Sequence, residues 1–483
     1  MNLKNSLTIA FLLSTFVGFT QVRQKQNFNE NWKFTLTDSV VYQKTKCDDS
    51  NWRVLNLPHD WSVEGEFNEN NSGRNAFLPG GTAWYRKSFE LPEEYKGKSI
   101  EIQFDGVYKN AKLWVNNILV GIQHDGYTSF RNDITELLHP EEVNTIALRV
   151  DNSIQPNCRW YTGSGIYRNV WLNVTNQTHL ETWGTFITTP KVTKQEASVK
   201  IVSTIRNMDK AGEFVVKTEI YNPEGVKVVE EASPIKLGNY QSTDITQYLR
   251  VESPQRWSLD MPAVYTATTT ILRANEIIDE YSSSFGIRTL EFDADKGFFL
   301  NGVNLKMKGV CLHHDGGSLG AAVPDEVWVR RLQNLKAIGC NAIRTAHNPA
   351  SPEFMTMCDT IGFLVMNEFV DKWDAPYPRG GDPNDNFLNN HMADPNFSVE
   401  WKRNYAETIR RDRNHPSAII WSVGNENYPA GAAAQNHGLR KYASFVRSLD
   451  STRPVISGME RGADRAYPSQ KADEIIESCE YMD

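Results

Sequence analysis

The sequence predicts a multidomain chain in which two all-β domains precede an incomplete α/β barrel, and three observations carry that expectation. Its 483 residues exceed the roughly 100 to 200 of a usual single domain, so about three cores are needed. Short runs that alternate apolar and polar residues continue to Phe285, the period-two mark of half-buried strands. Beyond Gly286, strand-like runs alternate with helical ones, which is the βα signature.

Residues 1–20 read as a signal peptide: Lys4 supplies a positive start, Leu7 to Phe19 an apolar run, and Gly18-Phe19-Thr20 a small-x-small cleavage site. A secreted or periplasmic location is therefore expected. The apolar run falls short of the ~20 residues a spanning helix needs, and no other segment reaches that length, so no membrane span is expected.

Residues 27–175 hold alternating runs such as Ile100 to Phe104, Ala111 to Val115 and Thr145 to Val150, and fit a β-sandwich. A second set over 178–286, including Ala197 to Val202, Phe214 to Ile220 and Tyr265 to Ile271, suits an immunoglobulin-like sandwich. In 287–483 the runs read strand Val303 to Val310, helix Asp325 to Ile338, strand Ala342 to Thr345 and helix Pro352 to Ile361. Strand Phe363 to Met366, helix Val399 to Arg411, strand Ala418 to Val423, helix His437 to Leu449 and strand Pro454 to Ser457 follow, and Glu480 could open a sixth strand. A complete (β/α)8 barrel, the TIM barrel, has eight such rounds in roughly 250 residues, so the expectation is its N-terminal part.

A net charge of −8 gives no basic footprint for a phosphate backbone, which argues against nucleic acid as a partner. The 13 Trp, 18 Tyr and 22 Phe supply flat apolar faces of the kind that stack on sugar rings. Six cysteines lie far apart without a CxxC pair, so neither a zinc site nor a disulfide frame is expected.

Active sites of βα barrels sit at the C-terminal strand ends. Polar residues gather there in four successive rounds: His313, His314 and Asp315; Arg344, His347 and Asn348; Asn367, Glu368, Asp371 and Trp373; Asn425 and Glu426. A sugar pocket needs many hydrogen-bonding groups aimed at one point. Metal binding by the histidines is the rival reading, but no HExxH pattern is present, and adjacent residues at a strand end point to opposite sides. A serine hydrolase is disfavoured because the α/β part lacks a GxSxG elbow. Glu426 stands out: the apolar run Ala418 to Val423 delivers it to the barrel mouth, where burial can keep a carboxyl protonated for a leaving group. Spacing alone leaves a strand-capping carboxylate as an equal alternative. Asn425 beside it could hold a sugar 2-hydroxyl.

The run Arg413-Asn-His-Pro-Ser-Ala-Ile-Ile-Trp-Ser-Val-Gly-Asn-Glu426 resembles the acid/base signature of glycoside hydrolase family 2, the β-galactosidase and β-glucuronidase family. Asn341-Ala-Ile-Arg-Thr-Ala-His-Asn-Pro349 and Gly309 to Asp315 are similar to its other barrel motifs. Leu57 to Trp61, Gly81 to Arg86 and Arg159 to Arg168 resemble its sugar-binding jelly roll. The resemblance implies a retaining exo-β-glycosidase acting on a carbohydrate, with β-galactosides leading and β-glucuronides or β-mannosides as alternatives. A non-catalytic carbohydrate-binding fragment is the reading from another class.

It further implies Glu426 as acid/base, Asn425 as its sugar-binding neighbour, and Arg344, His347 and His313 around the glycone. Asn152 and Arg159 would reach in from the jelly roll, and the strand-end cluster adds Trp373 as a candidate substrate contact. No cofactor is expected; a divalent or monovalent cation, common in such families, has no readable ligand set. The family's nucleophile is a second Glu after the seventh strand, and 57 residues follow Glu426. Glu460, Glu474, Glu477 and Glu480 do not fit that place, so the expectation is a C-terminally truncated chain, inactive by itself.

Overall fold

The computed structural model describes residues 22–373, 396–425 and 432–458, with the side chains of 432–438 outside it. The expected signal peptide, Glu426, the four later Glu residues and the possible sixth strand all lie outside the described residues.

The first domain is a sandwich of a six-stranded and a four-stranded antiparallel sheet. Alternation places Ile100, Ile102 and Phe104 inward from one sheet, and Leu113, Val115, Ile146, Leu148 and Val150 inward from the other; all are buried. Trp32 and Tyr85 fill the centre. The second domain packs three strands against four, seven in all as in the simplest immunoglobulin sandwich. Ala197, Val199, Ile201 and Ile205 of Glu196–Asn207 all point into its core.

The third domain is the incomplete barrel. Strands β1 (Gly309–Leu312), β2 (Ala342–Thr345), β3 (Leu364–Glu368), β4 (Ala418–Asn425) and β5 (Val455–Gly458) pair in parallel, in chain order. Helices α1 (Asp325–Ala337), α2 (Pro352–Ile361), α3 (Phe397–Asp412) and α4 (Ala432–Leu449) connect them. All eight residues of β4 are buried, which fits its near-continuous apolar run. Helix α2 shows why the chain folds locally as it does. Ser351 caps its N-terminus through Oγ, Pro352 occupies the first turn, and Gly362 ends it in the left-handed region at φ 85°.

One expected strand is divided. Val303–Asn304 belongs to a small antiparallel sheet with Gly297–Leu300, and the barrel strand starts only at Gly309. The cause is Asn301-Gly302, whose φ values of 55° and 78° make the tight turn that Asn-Gly favours. Phe298 and Leu300 of that sheet then pack with Leu364, Ile419 and Ile420.

The jelly roll is bonded directly to the barrel. Buried Asp60 accepts hydrogen bonds from the Ala321 amide (2.9 Å), the Ser164 amide (2.9 Å) and the Tyr161 hydroxyl (2.6 Å). Gly163 passes beside it with φ 68°, where a Cβ would lie 2.6 Å from the Asp60 carboxylate. Arg168 donates to the Pro349 carbonyl at 2.9 Å, and Arg131 pairs with Glu407 of α3 at 2.9 Å. The immunoglobulin-like domain is fixed by Trp257 to the Asp359 carbonyl and by Arg288 to the carbonyls of Pro416 and Ala418. Among the described residues no helix is long and apolar enough to cross a membrane, and the cysteines are free thiols.

His314 belongs to this docking surface. Its Nε2 donates to the Thr162 carbonyl at 3.0 Å, and its ring meets Tyr127 and Tyr167 edge-on. Burial pushes the imidazole down to about 4. The unfolded chain binds that proton near pH 6.5. It therefore carries more protons than the folded chain between the two values, and stability falls as pH drops through this window, by up to roughly 3 kcal/mol. His314→Gln, which retains a donor for Thr162, should flatten the decline of Tm between pH 6.5 and 4.5. Parallel Tm profiles for variant and wild type would show that His314 does not cause the decline.

Candidate active site

The parallel strands aim their last residues at one place. At its centre lies Glu368, the end of β3, with no exposed side-chain surface. Arg344 from β2 grips its carboxylate through Nε (3.0 Å) and Nη2 (2.8 Å), and Ser422 of β4 donates at 2.7 Å. His347 Nδ1 stands 2.6 Å from the other oxygen, and a carboxylate can only accept, so the proton sits on Nδ1. The 3.4 Å approach of Arg344 Nη2 to the same nitrogen is then no hydrogen bond, because guanidinium cannot accept. Burial opposes the charge of Arg344, but Glu368 more than offsets it and holds the guanidinium above its usual value.

Asn425 is fixed on every side. Its Oδ1 accepts from Arg344 (2.8 Å) and its Nδ2 donates to Asp371 (2.9 Å). Its peptide N–H donates to the Asp371 carbonyl (2.8 Å), and its own carbonyl accepts from Lys372 (2.8 Å). Each amide atom keeps one further valence, a lone pair on Oδ1 and a hydrogen on Nδ2, in a residue that is 4% exposed.

His313 lies on the opposite side of the strand end from His314, with its ring centroid 5.6 Å from His347 and 5.0 Å from Trp160. Burial, and then the neighbouring His347, push its imidazole below the usual value, which keeps it neutral at neutral pH. Trp160 comes from the jelly roll, 5.3 Å from His347, with its indole N–H on the Tyr127 hydroxyl at 3.1 Å. Beside it Arg159 reaches across to Asp371 at 2.5 Å. Between the two domains opens a cleft of about 660 Å³, bordered by Asn157, Trp160, His124, His347, Asp371 and Lys372. That is within the range of roughly 300 to 1,000 Å³ typical of ligand pockets.

The structure brings Arg344, His347, His313, Asn425 and Arg159 together. Two other expected contacts are placed differently. Trp373 is buried, packs at a tilt against Tyr442 and donates its indole N–H to the Val423 carbonyl at 2.6 Å, so it serves the barrel core. Asn152 is 1% exposed. Its amide is taken up by Gly163, Ser164, Gln155 and Asn157, so it braces the loop that carries Arg159. Glu368, Asp371, Lys372 and Trp160 are the residues that sequence reasoning did not single out as ligands or supports. The strand-end cluster contained the first two, and the Arg159 to Arg168 motif contained Trp160. Among the described residues no three metal-ligating side chains converge.

Three family models of the glycosyl hydrolases family 2 match in succession: its sugar binding domain over 25–176, the model described simply as glycosyl hydrolases family 2 over 178–288 and its TIM barrel domain over 293–481. The chain belongs to glycoside hydrolase family 2. A family 2 β-galactosidase of Bacteroides ovatus is 40% identical, over 90% of this chain and 54% of that protein. The crystal structure of a family 2 member from Bacteroides cellulosilyticus superposes with TM-score 0.86 and 39% identity, covering 94% of this chain and 57% of that one. A Bacteroides uniformis β-glucuronidase follows the same fold with TM-score 0.79 and 27% identity, covering 90% and 52%. The chain thus spans about half the length of the curated relatives it matches.

Within this family 2 barrel, Glu368 is the test of the network. Glu368→Leu leaves Arg344 without its counter-charge, an imbalance expected to cost about 3 to 5 kcal/mol. Denaturant unfolding reads it, and a change within about 0.5 kcal/mol, the range of an ordinary surface substitution, would show the network to be dispensable.

Proposed function

We propose that the protein is a retaining exo-β-glycosidase, exported by residues 1–20, that removes terminal β-galactosyl residues from glycans. One observation carries the reading. Asn425, held by Arg344, Asp371 and Lys372 at the mouth of the barrel, is followed directly in sequence by Glu426. In this reading Glu426 protonates the departing oxygen and then, as a carboxylate, activates water. Asn425 offers its remaining amide valences to the 2-hydroxyl, and His347 and His313 border the glycone. The nucleophile falls to a second Glu, which the family carries after its seventh barrel strand and hence beyond the five described. Retention requires the two carboxyl groups to stand about 5 to 5.5 Å apart.

Among the described residues, the pairing of the cations around Asn425 supports a neutral sugar over a uronic acid. Arg344 and Arg159 are each paired with a carboxylate, and Lys372 is on the Asn425 carbonyl. The relatives do not separate the two sugars, since a β-galactosidase and a putative β-glucuronidase are each 40% identical to this chain. Assay of the full-length protein on nitrophenyl β-galactoside, β-glucuronide and β-mannoside decides the sugar, and a preference for glucuronide would overturn the galactoside assignment.

Glu426→Gln in the full-length protein should lower hydrolysis of alkyl glycosides by about 10² to 10⁴-fold. Aryl glycosides with good leaving groups should lose far less, because they need little protonation. Equal losses on both substrate classes would remove Glu426 from the acid role.

A further inference from the structure

We propose that Asp371 is a positioning residue that ties the jelly-roll loop to the strand end preceding Glu426, so that the first domain helps to place the catalytic acid. The inference rests on the glycosidase reading above and gives Asp371 a role that it exerts through Asn425.

The link is continuous. Asp371 Oδ1 accepts from Arg159 Nη2 at 2.5 Å and from Asn425 Nδ2 at 2.9 Å. Its backbone carbonyl accepts the Asn425 N–H at 2.8 Å, while Lys372 holds the Asn425 carbonyl at 2.8 Å. Three of the four polar groups of Asn425 are therefore held by residues 371 and 372. The carbonyl among them belongs to the peptide that joins Asn425 to Glu426, so the bond from Lys372 fixes the plane of that peptide.

The other end is equally anchored. Asn152 clamps the loop through Gly163 and Ser164, and Trp160 next to Arg159 is held by the Tyr127 hydroxyl. Asp60 in turn bonds that loop to the barrel through Ser164 and Ala321. Arg159 and Asp371 retain only 24% and 14% of their side-chain exposure, so solvent screens this bridge less than it would an open surface pair. A bridge of this kind limits how far the Asn425 peptide can swing, and a misplacement of about 1 Å is enough to cost a catalytic group on the order of 100-fold in rate.

The test uses the full-length protein with Asp371→Asn, Arg159→Met and the double variant, and Arg159→Lys as the conservative control. Thermal melts establish that each variant is folded. If the bridge positions the acid, Asp371→Asn lowers kcat on alkyl β-glycosides by up to about 100-fold and on activated aryl glycosides far less, with KM little changed. Arg159→Met shows the same pattern, Arg159→Lys retains much of the activity, and the double variant is no worse than the poorer single within about 3-fold, as for two ends of one interaction. Equal losses on both substrate classes, or single effects that multiply in the double variant, overturn the inference while leaving the glycosidase reading intact. A wild-type protein inactive on every β-glycoside overturns that reading and this inference with it.

Discussion

Glu368 is a carboxylate with no exposed surface, and the rest of the barrel mouth is arranged around the need to satisfy it. An ionised group taken out of water costs several kcal/mol unless charge and hydrogen bonds replace its hydration. Here the replacements come from β2, the loop after β2, and β4: Arg344, His347 and Ser422. Thr345 of β2 also accepts the Glu368 amide. Neighbouring residues of a strand face opposite sides, so a slip of one position in β2 or β4 would turn Arg344 or Ser422 away and leave the charge stranded. The same contacts that fix the strand register thus aim Arg344 at Asn425.

The jelly roll contributes more than one wall of the cleft. Its contacts with the barrel are largely charged or directed: Asp60 on the Ala321 amide, Arg168 on the Pro349 carbonyl, Arg131 on Glu407 and the amides of His124 and Asp125 on Glu400. Apolar contact alone would allow sliding, whereas such bonds have one good geometry. Burial raises the Asp60 carboxyl, and the backbone amides of Ala321, Ser164 and Ser62 with the Tyr161 hydroxyl oppose that rise. The motif Leu57 to Trp61 therefore makes structural sense: its Asp registers one domain on another.

Much of this was legible in the sequence because period and position are local properties. The alternation of Ala197 to Val202 and the apolar run Ala418 to Val423 each specify their own element, and Arg344, His347 and Asn425 follow from strand ends alone. The failures have a common cause. A side chain's role depends on partners that sequence spacing does not reveal. Asp371 was one polar residue among several until Arg159, far away in the chain, was seen to meet it. Trp373 follows a strand end and offers an aromatic face, but its indole N–H needed a partner and found one inward, at Val423. Asn152 has an amide suited to sugar hydroxyls, yet its own loop uses it. The divided strand near Val303 was the exception, since Asn301-Gly302 announced the turn locally.

The charges at the mouth also constrain any carboxyl group that is to act there. A carboxyl that must be protonated to act is helped by low dielectric and hindered by nearby cations, which favour its ionised form. Among the described residues three cations stand close to the end of β4, and each is engaged: Arg344 by Glu368, Arg159 by Asp371, and Lys372 by the Asn425 carbonyl with Asp371 3.9 Å away. His313 is held neutral by its burial. The two carboxylates therefore do more than shape the pocket. By pairing with Arg344 and Arg159 they leave neither guanidinium unbalanced beside the end of β4, and that balance depends on both domains being in contact.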